Sequence, residues 1–248
     1  MRFGALIIGD EILSGRRKDG HLAKVIALLS ARGLRLAWAR YAGDEVQALT
    51  QTLRETFATG DVVFSFGGIG ATPDDNTRQA AAAALGRELR LHPQAEALIR
   101  GRFGEQTTEQ RLDMGRFPAG AEIIPNPYNQ IPGFHIERHF FVPGFPVMAH
   151  PMIENVLDTH FAQYAHREDY VEESVHIAQG HEGQLVAFMR ELAARYPRAA
   201  LFSLPSMGDA RGQRGLELGM KGTRADVAAA MAEIRAELTR LGLDFVRT

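Results

Sequence analysis

The chain has 248 residues, 45% of them hydrophobic and 23% charged, with a formal net charge of −2. That length fits one large domain or two modest ones, and the composition is that of a globular protein. The near-neutral charge gives no support to non-specific attraction to nucleic acid or to anionic membrane, although it leaves room for a local basic patch. Cysteine is absent, which excludes disulfides, thiolate metal sites, iron–sulfur clusters and cysteine nucleophiles within these residues.

No stretch approaches the roughly 20 apolar residues of a membrane span. The N-terminal run has too short an apolar core for a signal peptide, so a cytoplasmic protein is expected. Phe3 to Ile8 instead reads as a strand buried on both faces. Leu22, Val25, Ile26 and Leu29 then fall at helical spacing, with Gly33 placed as a left-handed stop. Leu34 to Tyr41 is a second strand. Asp44 and Gln47 have the spacing of a capping box before a helix with Val46, Leu49, Leu53 and Phe57 inward. Asp61 to Phe66 is a third strand, and it runs directly into Gly67-Gly68-Ile69-Gly70.

Thr77 to Leu85 is an alanine-rich helix stopped at Gly86. Pro93 starts another, and Thr107 with Gln110 suggests a cap before a helix ending at Gly115. A strand near Glu122–Ile124, a Pro/Asn-rich loop and a hairpin of Phe134–Ile136 with His139–Val142 follow. A helix then runs to about Phe161. Alternating strands and helices predict a three-layer α/β/α sandwich with a mostly parallel sheet over residues 1–165. From 168 to 248 the order becomes β-α-β-β-α-β, that of a small ferredoxin-like α+β domain. Its two middle strands, Ala199–Leu204 and Gly215–Lys221, are joined by Gly/Pro/Ser-rich sequence.

Ligands of an open parallel sheet bind beyond the carboxyl ends of its strands. Three acidic, Gly-containing loops leave such ends: Gly9–Gly15, Gly43–Glu45 and Gly67–Thr77. Glycine lets backbone N–H groups approach an anion, and the helix that follows presents its positive end. Carboxylates beside a phosphate repel it unless a divalent cation lies between them, and oxygen-only ligands suit Mg²⁺. The bland alternative is that Asp44 and Asp74 to Thr77 only cap helices. The loop is neither a P-loop nor a dinucleotide fingerprint. The scattered histidines, His135/His139 and His160/His166 among them, lack zinc spacing. Met148 and Met152 read as core filler and Trp38 as buried. Arg16-Arg17-Lys18 either helps hold phosphate or is a solvated loop. Asn126, Tyr128 and Asn129 either contact a ring or supply turn chemistry.

Gly9-Asp10-Glu11-Ile12-Leu13-Ser14-Gly15, Gly43-Asp44 and Gly67-Gly68-Ile69-Gly70-Ala71-Thr72-Pro73-Asp74-Asp75-Asn76-Thr77 resemble the molybdopterin-binding (MoaB/Mog-like) domain. The variants most alike are the CinA N-terminal domain and the molybdopterin-like domain of FAD synthase. Ile131-Pro132-Gly133-Phe134 and Pro143-Gly144-Phe145-Pro146 resemble two further motifs of that branch. The resemblance implies binding of a phosphorylated pterin or adenine dinucleotide, molybdopterin among the ligands, and a homo-oligomer. It implies catalytic roles for Asp44 and Asp75, and phosphate or ligand contacts from Gly67, Gly68, Gly70, Thr72, Thr77, Ser14, Pro143 and Gly144. A cation, Mg²⁺, Mn²⁺ or Co²⁺, would be held by Asp10, Asp74 and Asp75. The chemistry implied is hydrolysis of a pyrophosphate bond in a nucleotide of the ADP-ribose or FAD class, with molybdenum-cofactor assembly or ligand binding without turnover as rivals. Ala71 replaces the usual Pro of that branch, Asp19-Gly20-His21 its usual Asn-Thr-Asn, and Met148 its usual Glu. No segment resembles the deamidase domain of CinA, so that activity is not carried over.

Overall fold

A computed structural model describes residues 1–166, 170–178, 180–206 and 215–247. The chain divides into two compact units, Met1–Ala165 and His166–Thr248. The first unit opens with β1 (Phe3–Ile8), α1 (Asp10–Leu13), α2 (His21–Ser30), β2 (Leu36–Ala42), α3 (Val46–Ala58) and β3 (Val62–Phe66). It continues with α4 (Thr77–Leu85), β4 (Leu89–Leu91), α5 (Pro93–Phe103), α6 (Glu109–Asp113), β5 (Arg116–Pro118) and β6 (Glu122–Ile124). The hairpin β7 (Gly133–Ile136) and β8 (His139–Val142) precedes α7 (Pro146–His160).

Among the described residues, β2-β1-β3-β8-β7-β6 form one sheet in that order. The first four strands pair in parallel, while β7 is antiparallel to both neighbours. Successive side chains of β1 alternate between two cores, as a strand covered on both faces requires. Phe3, Ala5 and Ile7 pack with Val25 and Leu29 of α2 and with Met152 and Ile153 of α7. Leu6 and Ile8 pack on the other face with Leu49 and Leu53 of α3 and Ala80 and Ala81 of α4. The expected three-layer sandwich is therefore present. Each fully buried Leu or Ile contributes about 1.5–3 kcal/mol. Gly4 makes room for Trp38, because a Cβ there would lie 2.1 Å from the indole ring. Trp38 is only partly buried, and its Nε1 donates to Asp61.

Several local expectations are corrected. Asp44 does not cap α3; Glu45 does, accepting from the backbone N–H groups of Gln47 at 3.0 Å and Ala48 at 2.7 Å. Thr108, not Thr107, caps α6. Ile26 is exposed, since α2 buries His21, Val25, Leu28 and Leu29, so the inward stripe is rotated and carries a histidine. The segment read as an acidic loop after β1 contains the single-turn helix α1, and β4 pairs with β5 in a separate two-stranded sheet. Three-residue strands and one-turn helices are too short to show a hydrophobic period.

The second unit contains β9 (Tyr170–Ala178), α8 (Glu182–Arg195), β10 (Ala200–Ser206), β11 (Gly215–Thr223), α9 (Arg224–Arg240) and β12 (Phe245–Arg247). Its sheet order, β10-β11-β9-β12, is antiparallel throughout, the arrangement that the β-α-β-β-α-β order predicts. Val175, Ile177, Leu216 and Leu218 form its core with Leu185 and Leu192 of α8 and Val227, Met231 and Ile234 of α9. The expected start of this domain at 168 and the whole loop between β10 and β11, 207–214, lie outside the described residues.

Candidate functional site

The carboxyl ends of β1, β2, β3 and β8 converge on a cavity of about 540 Å³. It is lined by Gly9, Asp44, the Gly67–Thr72 loop, Asp74, Asp75, Pro143 and Gly144, with His21, Arg17, Asn129, Phe145 and Met148 on its other walls. All belong to the first unit.

The loop after β3 is shaped by its glycines. Gly67 has φ +101°, and a Cβ there would lie 2.3 Å from the Ile8 carbonyl oxygen. Gly68 has φ +69°, and its Cβ would meet the Thr77 hydroxyl at 2.1 Å. Only glycine fits both conformation and space. The loop's carbonyls turn toward α4: Thr77 N–H donates to Gly68 O and the Thr77 hydroxyl to Gly67 O. Arg78, buried, donates to the carbonyls of Gly70 and Asp113. Gly67 N–H is spent on Val142 O. The N–H groups of Gly68, Ile69, Gly70 and Ala71 donate to no acceptor among the described residues. Among the described residues, the run of backbone N–H groups left without an acceptor therefore begins at Gly68 rather than Gly67. Thr77 is absent from the cavity wall and braces the loop at Gly67, and Arg78, which no sequence motif marks, braces it at Gly70.

The acidic groups play unequal parts. Asp10 and Asp44 are cross-linked: Asp10 N–H donates to Asp44 Oδ2 at 2.9 Å, and Asp44 N–H to Asp10 Oδ1 at 3.3 Å. Asn76 donates to the Asp44 carbonyl. Asp44 is thus pinned between the loops after β1 and β3, while Asp10 itself does not line the cavity. Burial raises the Asp44 carboxyl above its ordinary range; the bond from Asp10 N–H opposes this, and the carboxylates of Asp10, Glu11 and Asp74 add to it. Asp75 Oδ2 accepts from both the N–H and the hydroxyl of Thr72, at 2.8 and 2.5 Å. That turn ties up one oxygen of Asp75 and the Thr72 donors together. Ser14 is exposed, bonds the Glu11 carbonyl, and lies outside the cavity lining.

No three His, Asp or Glu side chains among the described residues stand ready as a metal-ligand cluster. The expected trio of Asp10, Asp74 and Asp75 is not assembled. The donor chemistry still suits Mg²⁺, which keeps several waters and commonly takes one or two carboxylates plus substrate phosphates.

The remaining wall is built from residues whose roles the sequence left open or assigned elsewhere. His21 stacks on Phe66 at 4.5 Å between ring centroids, and its Nε2 lies 3.2 Å from the Gly144 carbonyl oxygen. Met148 is not core filler; it lines the cavity, and Asn129 Nδ2 donates to its sulfur at 3.3 Å. Asn126 and Asn129 close turns onto Tyr128 N–H and Ile131 N–H. Arg17 lies over the Phe145 ring at 5.4 Å and pairs with Glu11 at 3.7 Å. No helix among the described residues is long and apolar enough to cross a membrane.

Residues 4–163 match the family described as probable molybdopterin binding domain. A protein of Caldivirga maquilingensis is 31% identical over 164 residues, which are 63% of this chain and 64% of that one. A CinA-like protein of Syntrophotalea carbinolica is 33% identical over 153 residues, 59% of this chain and 37% of that one. The chain thus spans less than two thirds of the length of these relatives. Among solved structures, that of the protein CinA, of unknown function, from Thermoplasma acidophilum aligns with a TM-score of 0.59 at 26% identity, over 64% of this chain and 98% of that one. With the matching region enclosing every element that lines the cavity, the chain belongs to the probable molybdopterin binding domain family, and CinA-like proteins are among the proteins that it is similar to.

Proposed function

We propose that the cavity binds a phosphorylated pterin or adenine dinucleotide together with a divalent cation, and hydrolyses the pyrophosphate bond of a nucleotide of the ADP-ribose or FAD class. One observation carries this reading: the unpaired N–H groups of Gly68 to Ala71 share a cavity with Asp44, whose charge is disfavoured by burial and by neighbouring carboxylates. The N–H groups would take phosphate oxygens. A cation bound beside Asp44 and Asp74 would neutralise phosphate charge. Asp44 Oδ2 is fixed by Asp10 N–H, which orients Oδ1 toward the role of accepting a proton from an attacking water. The water oxygen bonds to phosphorus, the bridging P–O bond breaks, and its electron pair leaves with the departing phosphate. Asp75 then holds the loop through Thr72 rather than acting on water.

His21 and Met148, which line the cavity and depart from the pattern of the family branch that the sequence resembles, support a second reading, pterin or nucleotide binding without turnover. A homo-oligomer is proposed with either, and sedimentation measures it. The test is a turnover screen against FAD, ADP-ribose, NADH and ATP with Mg²⁺, Mn²⁺ or Co²⁺, read as AMP release. Asp44→Asn should lower turnover about 100-fold or more while its circular dichroism stays that of the parent. Unchanged turnover in Asp44→Asn overturns the catalytic assignment. Ligand binding with no AMP release under any metal decides for the second reading.

A further inference from the structure

We propose that His21 is a positioning residue for the cavity: its neutral imidazole donates Nε2–H to the Gly144 carbonyl and so clamps the β8–α7 loop and the first residues of α7, 143–148 together, against Gly67. The ring is almost fully buried. Because the Gly144 carbonyl can only accept, the Nε2 contact at 3.2 Å fixes the tautomer with the proton on Nε2. Nδ1 then carries a bare lone pair, and it is buried without a partner among the described residues. The clamped loop has no slack, since a Cβ on Gly144 would come within 3.3 Å of the Gly67 Cα. Gly144 and Phe145 form one wall of the cavity, and Gly67 begins the other. His21 therefore joins α2, β3 and the β8–α7 loop at the point where the cavity closes.

The surroundings of the ring make the clamp sensitive to protons. From α7, His150 approaches edge-on at 5.4 Å, and its own Nε2 is also buried without a partner. Asp19 accepts from the N–H groups of His21 and Leu22 and from the Tyr41 hydroxyl. Lys24 acts on His150 from α2, and β3 presents Phe66 to the His21 ring. Burial holds both histidines below the ordinary value of 6.5, outweighing the Gly144 carbonyl bond and Asp19, which favour the charged form of His21, and the Gly20 backbone bond and Asp19, which favour that of His150. Adding a proton to His21 Nδ1 creates a buried donor with no acceptor, facing a second imidazole. The clamped state is thus fully favoured above pH 6.5 and weakens as the pH falls below it, because the opened loop binds the proton more readily.

The clamp is read without any ligand by hydrogen–deuterium exchange over residues 143–148 of the full chain. Losing one hydrogen bond should speed exchange there about fivefold in His21→Phe at pH 7, with circular dichroism and melting reporting that the variant folds. The wild type should show the same acceleration between pH 6.5 and 5, in excess of the intrinsic change with pH. His21→Gln keeps an uncharged donor and should restore slow exchange and flatten its pH dependence, while His150→Gln separates the neighbour's share. Exchange in His21→Phe equal to wild type overturns the proposal, as does a pH dependence that survives His21→Gln undiminished. A second arm rests on the proposed function and uses ADP-ribose with Mg²⁺ as probe. Weaker binding by His21→Phe, rescued by His21→Gln, links the clamp to the cavity. If wild type binds no probe, the functional reading fails while the exchange data still decide the clamp.

Discussion

His139 shows how much a single buried side chain depends on its partners. It sits on β8 with its Nε2 2.9 Å from the Thr56 hydroxyl, which itself donates to Leu53 O. The imidazole must therefore be the donor in that pair, and Nδ1 is left buried and unpaired. Burial pushes its pKa down to about 3, against a weak opposing pull from Asp61. A histidine with a depressed folded-state value stabilises the fold fully above its unfolded value of 6.5 and loses that contribution as the pH falls toward 3. Urea unfolding between pH 7 and 5 should show stability dropping by up to about 1.4 kcal/mol per pH unit from this group. His139→Gln should remove that part of the slope; an unaltered slope would show that the proton goes elsewhere. At the same scale, the roles proposed for His21 and Asp44 rest on their burial and neighbours rather than on residue type.

Among the elements, the caps decide where side chains are left over for function. Glu45 caps α3, so the Asp44 carboxylate is released from the helix and turned onto Asp10 N–H and the cavity. A capping-box spacing between 44 and 47 was the natural reading, but the carboxylate one residue later reaches the same donors with its longer stem. In the second unit, Thr223 caps α9, accepting from Asp226 N–H and donating to the Asp226 carboxylate. Thr223→Ala should cost about 1 kcal/mol in urea unfolding, and Thr223→Ser should recover most of it. An Ala variant as stable as wild type would mean that α9 is held by its buried face of Val227, Ala230, Met231, Ile234 and Leu238 alone. The long amphipathic helices and the buried strands were legible because their periods repeat. Elements α1, β4 and β5 were not, since none is long enough to complete a pattern.

For the whole molecule, the two units each possess a separate hydrophobic core. Every residue lining the main cavity lies within Met1–Ala165. A fragment of residues 1–165 should therefore fold alone, melt cooperatively, and bind ADP-ribose with Mg²⁺ within about twofold of the full chain if the full chain binds it. Calorimetry and thermal melting measure both properties. A fragment that aggregates, or that folds and loses the full chain's binding, would show that the second unit supports the first.

By itself the sequence determined the layered α/β architecture, the ferredoxin-like order of the C-terminal unit and the three acidic glycine loops. Each of these rests on local signals: periodicity, turn residues and motif spacing within a few positions of one another. The tertiary structure decided which members of those loops reach the cavity. Gly67 N–H goes to Val142 O, the Thr77 hydroxyl to Gly67 O, and Thr72 N–H to Asp75, while Gly68 to Ala71 find no acceptor for their N–H groups among the described residues. It also brought in Arg78, His21 and Met148, whose roles depend on contacts with Asp113, Gly144 and Asn129, 35, 123 and 19 positions away. A motif fixes which donors and acceptors a segment owns. Whether each one is left for a ligand depends on which distant backbone groups claim it first, and only the folded chain brings those together.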